Sequence, residues 1–134
     1  MTRARGTRGW LLASLLALAG CAATAPPPPS ISASDYATLR QVLAQNPTAR
    51  AELERTCAQG PLAASASERA AMAAILDVEV EEVQRVFCER LVAAIARGDV
   101  DHADFQRLES GSEDPAFLRR LIRALRFQPG QLRI

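Results

Sequence analysis

Apolar residues recur at helical spacing through most of this chain, and this periodicity limits the fold more than any other feature of the sequence. Val83, Phe87, Leu91 and Ile95 follow one another at four-residue steps. Such a stripe lies along one face of an α-helix, whereas a half-buried strand would alternate at every second residue. From Ser34 onward the sequence never alternates in this way for long. We therefore predict an all-α fold, a small bundle of five or six helices.

Capping residues and helix breakers divide this region into separate helices. The predicted helices, in chain order, are Asp35 to about Gln45 after a Ser34 cap, a helix from Asn46-Pro47 to Gly60-Pro61, Ser67 to about Leu76, about Glu79 to Arg97 before Gly98, a helix capped by Asp101, and a last helix opened by Asp114-Pro115. The predicted apolar faces include Val42 on the first helix, Val80 on the fourth and Leu118 on the last. Together these helices form one predicted domain over residues 34–134.

The N-terminus has the layout of an export signal. Arginines at positions 3, 5 and 8 precede the apolar run Trp10 to Ala19. This run is ten residues long. A helix that spans a bilayer needs roughly 20. The run is therefore expected to direct export rather than to anchor the chain as a transmembrane helix.

Leu18-Ala19-Gly20-Cys21 resembles the lipobox of bacterial lipoprotein precursors. The resemblance implies a signal peptide over residues 1–20, cleavage after Gly20, and a diacylglyceryl group on the Cys21 thiol that anchors the protein to a membrane. In that family, a residue other than Asp after the lipidated cysteine favours the outer membrane. Ala22 holds this position, which implies an outer-membrane location facing the periplasm. An ordinary secretion signal that contains a cysteine is the alternative interpretation.

Residues 21–33 connect the predicted anchor to the helical domain, and they include Pro26-Pro27-Pro28-Pro29. Consecutive prolines favour an extended polyproline II conformation of ~3.1 Å per residue. The segment is interpreted either as a stiff spacer that holds the domain away from the lipid surface or as a linker without a defined length.

The balance of charge gives no general attraction for nucleic acid. The chain has 16 basic and 15 acidic residues, and removal of residues 1–20 takes three arginines with it, so the mature form has a net charge of −2. The segment around Asp77 resembles the turn of a helix-turn-helix, but the helix after it begins with Glu79, Glu81 and Glu82. DNA binding requires cations at this position. We therefore expect no nucleic-acid partner.

No pattern in the sequence predicts catalysis, a metal site or a cofactor. His102 is the only histidine, and no serine lies in the Gly-x-Ser-x-Gly turn typical of hydrolases. A calcium loop that starts at Asp99 lacks an oxygen ligand at Ala103 and the required glycine at Asp104. Glu52 with Glu54, and Glu79 with Glu81 and Glu82, could supply paired carboxylates, but acidic residues are common at helix starts for dipole reasons.

Three cysteines allow three disulfide pairings, and the lipidation implied for Cys21 would leave one. If Cys21 is lipidated, Cys57 and Cys88 remain, each on the apolar side of its predicted helix in an exported, disulfide-permissive compartment. We predict a disulfide between them. The alternatives are two buried free thiols or a reactive redox cysteine.

The last predicted helix places Arg119, Arg120, Arg123 and Arg126 opposite its apolar stripe. These arginines form either a solvated face, with cations favoured near the helix C-terminus, or a binding face for anionic lipid, lipopolysaccharide or an acidic partner. Because they lie off the apolar stripe, we expect their replacement by Gln to leave the fold intact.

The function expected from the sequence is that of a non-enzymatic lipoprotein of the cell envelope that binds or scaffolds an unidentified envelope protein. The first alternative is a module that binds anionic lipid or lipopolysaccharide through the four arginines. The second is a small envelope enzyme with helix-borne carboxylates. A domain of ~100 residues rarely has room for the cleft that such an enzyme needs.

Overall fold

The computed structural model describes residues 30–61 and 64–127. Within these ranges the chain forms six α-helices and no strand, which confirms the all-α prediction. The helices are α1 (Ala33–Gln45), α2 (Pro47–Gln59), α3 (Ala66–Leu76), α4 (Val83–Arg97), α5 (His102–Glu109) and α6 (Pro115–Arg126), with a 3₁₀ turn at Val80–Glu82. The predicted signal peptide, the lipidation site Cys21 and the proline run lie outside the described residues. None of the helices in the two described ranges combines the length and apolar character needed to cross a bilayer.

Helix α4 lies at the centre of the bundle and packs against α1, α2, α3 and α6. Its apolar stripe is broad enough to face all four neighbours, because seven of its side chains are buried: Val83, Val86, Cys88, Leu91, Val92, Ala94 and Ile95. The core continues into Leu43 of α1, Leu76 of α3 and Phe117 of α6, each almost fully buried. The four-residue periodicity thus predicted the central helix of the bundle.

The helix starts are set by capping side chains, and the predicted starts of α1 and α3 are one or two residues late. The cap of α1 is Ser32, whose Oγ accepts a hydrogen bond from the Asp35 amide at 3.1 Å, so Ser34 lies inside the first turn. The cap of α3 is Ser65, which forms a reciprocal pair with Glu68 and holds the pKa of that carboxyl below its usual range. Each of these two helices therefore begins before its predicted first residue.

Three residues predicted on apolar faces are instead exposed: Val42 (43% exposed), Val80 (42%) and Leu118 (38%). Val80 is exposed because the predicted fourth helix does not run unbroken from Glu79. Val80–Glu82 forms a 3₁₀ turn, and α4 begins only at Val83. A 3₁₀ turn has three residues per turn, so Val80 is out of phase with the α4 stripe. Val42 and Leu118 lie at the borders of their buried stripes and face solvent.

The first described residues are fixed to the turn between α4 and α5. Nε2 of His102 donates to the carbonyl oxygen of Ile31 at 2.8 Å, which places the proton on that nitrogen because a carbonyl only accepts. One helical turn further, the buried Tyr36 donates its hydroxyl to the carbonyl oxygen of Val100 at 2.6 Å. The Tyr36 ring also contacts the rings of His102 and Phe105, with centroids 5.6 and 5.3 Å away. The chain thus enters the domain beside the start of α5.

Candidate functional site

Helix α6 presents the arginines singled out in the sequence. Asp114 caps the helix by accepting from the Ala116 amide at 3.0 Å, and Pro115 occupies its first position. Both features follow the local preferences of helix N-termini. The buried side chains of α6 are Phe117, Leu121, Ala124 and Leu125. The arginines at positions 119, 120, 123 and 126 are all exposed on the other side, as predicted.

Arg120 has a structural partner that the sequence did not reveal. Its Nη2 donates to Oδ1 of Asp104 at 2.6 Å and its Nε donates to Oδ2 at 3.2 Å. The guanidinium therefore binds the carboxylate in a bidentate manner. Arg107 adds a third contact from its Nη1 to Oδ1 at 2.9 Å. Asp104 is buried, and the hydrogen bond from Arg120 holds the pKa of this carboxyl below its usual range against the opposing effect of burial.

This cluster joins α5 to α6, so replacement of Arg120 by Gln would remove a tertiary ion pair, which none of the other three arginines of α6 forms with a described residue. Only the contact between Asp104 and Arg107, three residues apart on one helix, could be anticipated from spacing. The contact with Arg120 is tertiary and leaves no local signal.

The other three arginines of α6 have no acidic partner among the described residues. Arg126 donates from Nε to the carbonyl oxygen of Ile75 at 2.9 Å, which leaves its charge uncompensated. Arg119 and Arg123 make no ion pair with a described residue. We call Arg119, Arg123 and Arg126 the arginine face. At 100° per residue they fall within one 60° sector of the helix, and the exposed Leu118 lies about 80° around the helix from Arg126.

A surface pocket of about 310 Å³ lies at the edge of the arginine face, lined by Asp99, Arg120, Arg123, Ala124 and Phe127. Arg97 of α4 contacts two of the residues that line this pocket. Its guanidinium carbon lies 5.1 Å from the centre of the Phe127 ring, and its Nε contacts Oδ2 of Asp99 at 2.8 Å. No local pattern in the sequence marks Arg97, because its place in this surface depends on how α4 packs against α6.

The cysteine pair is joined as predicted. Cys57 and Cys88 form a disulfide that connects α2 to α4, with the two Cα atoms 5.7 Å apart. This separation falls within the range typical of disulfides. The rival interpretations of free or reactive thiols therefore do not hold for these two residues.

Two of the carboxylates considered as members of catalytic pairs form ion pairs with neighbouring arginines. Glu52 forms an ion pair with Arg55, and Glu82 forms one with Arg85. Glu54 has a raised pKa, first because it is partly buried and second because Glu89 is near, so its acidic neighbour is on α4 rather than on its own helix. Among the described residues no group of three His, Cys, Asp or Glu side chains is arranged to hold a metal ion.

No family model, curated protein or solved structure matches this chain. What bears on its function is therefore the lipobox resemblance together with the contacts of the described residues.

Proposed function

We propose that this chain is a lipid-anchored protein of the bacterial cell envelope whose helical domain binds a protein partner and performs no chemistry. The anchor would be a diacylglyceryl group on Cys21, and Ala22 favours the periplasmic face of the outer membrane. The disulfide between Cys57 and Cys88 supports export, because disulfides persist in oxidising compartments and are rare in the cytosol.

The observation that carries the non-catalytic assignment is that the groups best suited to acid–base chemistry are used as structural contacts. The single histidine, His102, forms a hydrogen bond with the backbone carbonyl of Ile31. Asp101 caps α5 by accepting from the Asp104 amide at 2.7 Å, and Asp104 itself is bound by two arginines. A general acid or base must instead reach a substrate proton.

Helix α2 is the surface to which we assign the protein partner. It has no buried residue, unlike the other five α-helices of the described ranges. It is nevertheless fixed to α4 by the disulfide, and the side-chain amide of Gln84 donates to the carbonyl oxygen of Gly60 just after its end. A helix that is held rigidly while adding no buried side chain is well suited to presenting its outer side to another molecule.

Photo-crosslinking in intact cells tests this assignment. A photoreactive residue is placed at Thr48 or Gln59 of α2 in the full chain, with a control at the exposed Glu109 of α5. The expected result is one discrete crosslinked product from both α2 positions and none from the control. Absence of any product from α2, or equal products from all three positions, would contradict the proposal.

Lipidation is tested separately. The full chain carrying Cys21→Ser should lose fatty-acid labelling and remain uncleaved, because the thiol is the acyl acceptor. Mass spectrometry of the wild-type protein should find an acylated Cys21 at the mature N-terminus. Any other mature N-terminus would overturn the lipoprotein assignment.

A further inference from the structure

We propose that the arginine face binds the phosphate groups of anionic phospholipids in the membrane that holds the anchor, so that α6 lies against the bilayer. This inference rests on the proposed function for its lipid anchor, and it adds a second membrane contact and an orientation of the domain. It is carried by the charge pattern of α6, by the apolar residue beside it, and by the place where the chain enters the domain.

No acidic side chain among the described residues neutralises the charge of the arginine face. Arg119 and Arg123 are four residues apart, and Arg123 and Arg126 are three apart, so like charges adjoin at helical spacings that destabilise a helix. The helix dipole favours Arg123 and Arg126 in the last turn but not Arg119, which lies in the N-terminal half of α6. An external anion would remove the repulsion, and a guanidinium binds phosphate through two parallel hydrogen bonds.

Leu118 fits the same occupant. It is 38% exposed, about 80° around α6 from Arg126, at the edge of the buried stripe of the helix. An exposed apolar side chain beside arginines is the pattern of helices that lie in the membrane interface, where the apolar residue enters the acyl boundary while the cations meet headgroups. A free phosphate ion would make no use of Leu118, which is why a lipid surface is the better match.

The chain enters the domain close to α6. Ile31 is held by His102 at 2.8 Å, and two residues further along α5 the carboxylate of Asp104 is held by Arg120 of α6 at 2.6 Å. Ten residue steps separate Cys21 from Ile31, which fully extended reach at most about 35 Å. An anchor at Cys21 therefore keeps α6 within reach of the bilayer. Charge attraction is effective only within a Debye length of about 8 Å, and the tether makes such encounters frequent by raising the effective concentration.

Lipid binding by the arginine face would not involve α2. Helices α2 and α6 both pack against α4 but make no contact with each other. With α6 against the lipid, the outer side of α2 is left accessible to a periplasmic partner.

Vesicle binding of the mature chain tests the proposal. The protein is residues 21–134 with Cys21→Ser and an intact disulfide, so that no acyl chain contributes to binding. The vesicles contain phosphatidylglycerol and phosphatidylethanolamine in equal parts, and neutral vesicles contain phosphatidylethanolamine with phosphatidylcholine. We expect binding to the anionic vesicles only, weakening as salt is added.

The decisive variant is Arg119→Gln with Arg123→Gln, and the matched control is Arg50→Gln with Arg55→Gln on α2, which removes the same charge. Each arginine near an anionic surface raises the affinity about fivefold, so the α6 variant should bind roughly 25-fold more weakly at low salt. The control should bind nearly as wild type. Leu118→Gln should also weaken binding while leaving helix content unchanged.

Four results would overturn the proposal: no binding of the wild-type chain to anionic vesicles, equal losses in the α6 variant and the control, no effect of Leu118→Gln, or binding to lipopolysaccharide micelles alone. The chain used in this assay carries no lipid, so its result does not depend on the anchor. The anchor is tested by acylation at Cys21, and the protein partner is tested by crosslinking from α2.

Discussion

Arg120 and Asp104 form a two-point ion pair between α6 and α5, with contacts of 2.6 and 3.2 Å. The carboxylate is buried while the guanidinium is nearly half exposed, so the pair lies at the boundary between the core and the arginine face. The same helix thus carries one arginine that stabilises the fold and three that have no acidic partner among the described residues.

We predict that Asp104→Asn lowers the free energy of unfolding by about 1–2 kcal/mol at neutral pH, because both guanidiniums lose their carboxylate. The pKa of Asp104 is lowered in the folded state, so its contribution is present above the usual aspartate pKa and is lost as the pH falls below about 4. Denaturant titrations of the two proteins at neutral and acidic pH measure this, and their stabilities should converge in acid.

Glu52→Gln is the control for that measurement. It breaks an ion pair whose two side chains are 60% and 63% exposed, and such pairs contribute at most about 1 kcal/mol. If Asp104→Asn lowers the free energy of unfolding no more than Glu52→Gln does, the cluster around Asp104 does not stabilise the junction of α5 and α6.

Replacement of Arg120 and replacement of Arg119 should have different effects on the midpoint temperature of thermal unfolding. Arg120→Gln is expected to lower the midpoint, because it removes two of the three contacts to Asp104. Arg119→Gln makes the same change of charge one residue away and should leave the midpoint unchanged or raise it slightly by relieving repulsion with Arg123. Equal midpoints for the two variants would show that the contact with Asp104 contributes nothing.

Tyr36→Phe should lower the free energy of unfolding by about 1–2 kcal/mol, because the buried carbonyl of Val100 loses its donor. Burial raises the pKa of Tyr36 to about 12, so its contribution is fully present below pH 10 and is lost as the pH rises towards 12. The stability of the variant should therefore fall less steeply over this interval in alkaline denaturant titrations.

Thr38→Val removes a hydroxyl from the same helix and serves as the comparison. Thr38 donates only to the carbonyl of Ser34 on the exposed side, so the change should be close to neutral. A loss as large as that of Tyr36→Phe would point to a general effect on α1 rather than to the contact with Val100.

Reduction of the disulfide should lower the free energy of unfolding by about 3–4 kcal/mol. This is the chain-entropy value for a loop closed over 31 residues. Denaturant unfolding of the oxidised and reduced mature chain, followed by circular dichroism, measures the difference. Thiol counting on the denatured, non-reduced protein should find neither Cys57 nor Cys88 free. Two free thiols in protein taken from the envelope would contradict the bond.

Features encoded by neighbouring residues were predictable from the sequence. Asn46-Pro47 and Asp114-Pro115 start helices where expected, because the cap and the first-position proline act on the nearest amides. The wrong starts of α1 and α3 have a common cause. In each case two serines lie two residues apart, and the true cap is the one with a carboxylate three residues later: Ser32 before Asp35, and Ser65 before Glu68. This rule was available in the sequence.

Tertiary features could be predicted only in part. The pairing of Cys57 with Cys88 followed from the small number of cysteines and needed no geometry. The contacts of Arg120 with Asp104, and of His102 with Ile31, depend on how distant helices meet, and the spacing of residues along the chain does not encode that.

The contact between His102 and Ile31 lies where a pull on the N-terminal side of the chain would first meet the described domain. Tension on the tether reaches Ile31 first and is passed to His102, and then through Tyr36 to Val100. These links connect the N-terminal end of α1 to the turn after α4 and to the first residue of α5. The loop closed by Cys57 and Cys88 lies outside this path and cannot extend while the bond is intact.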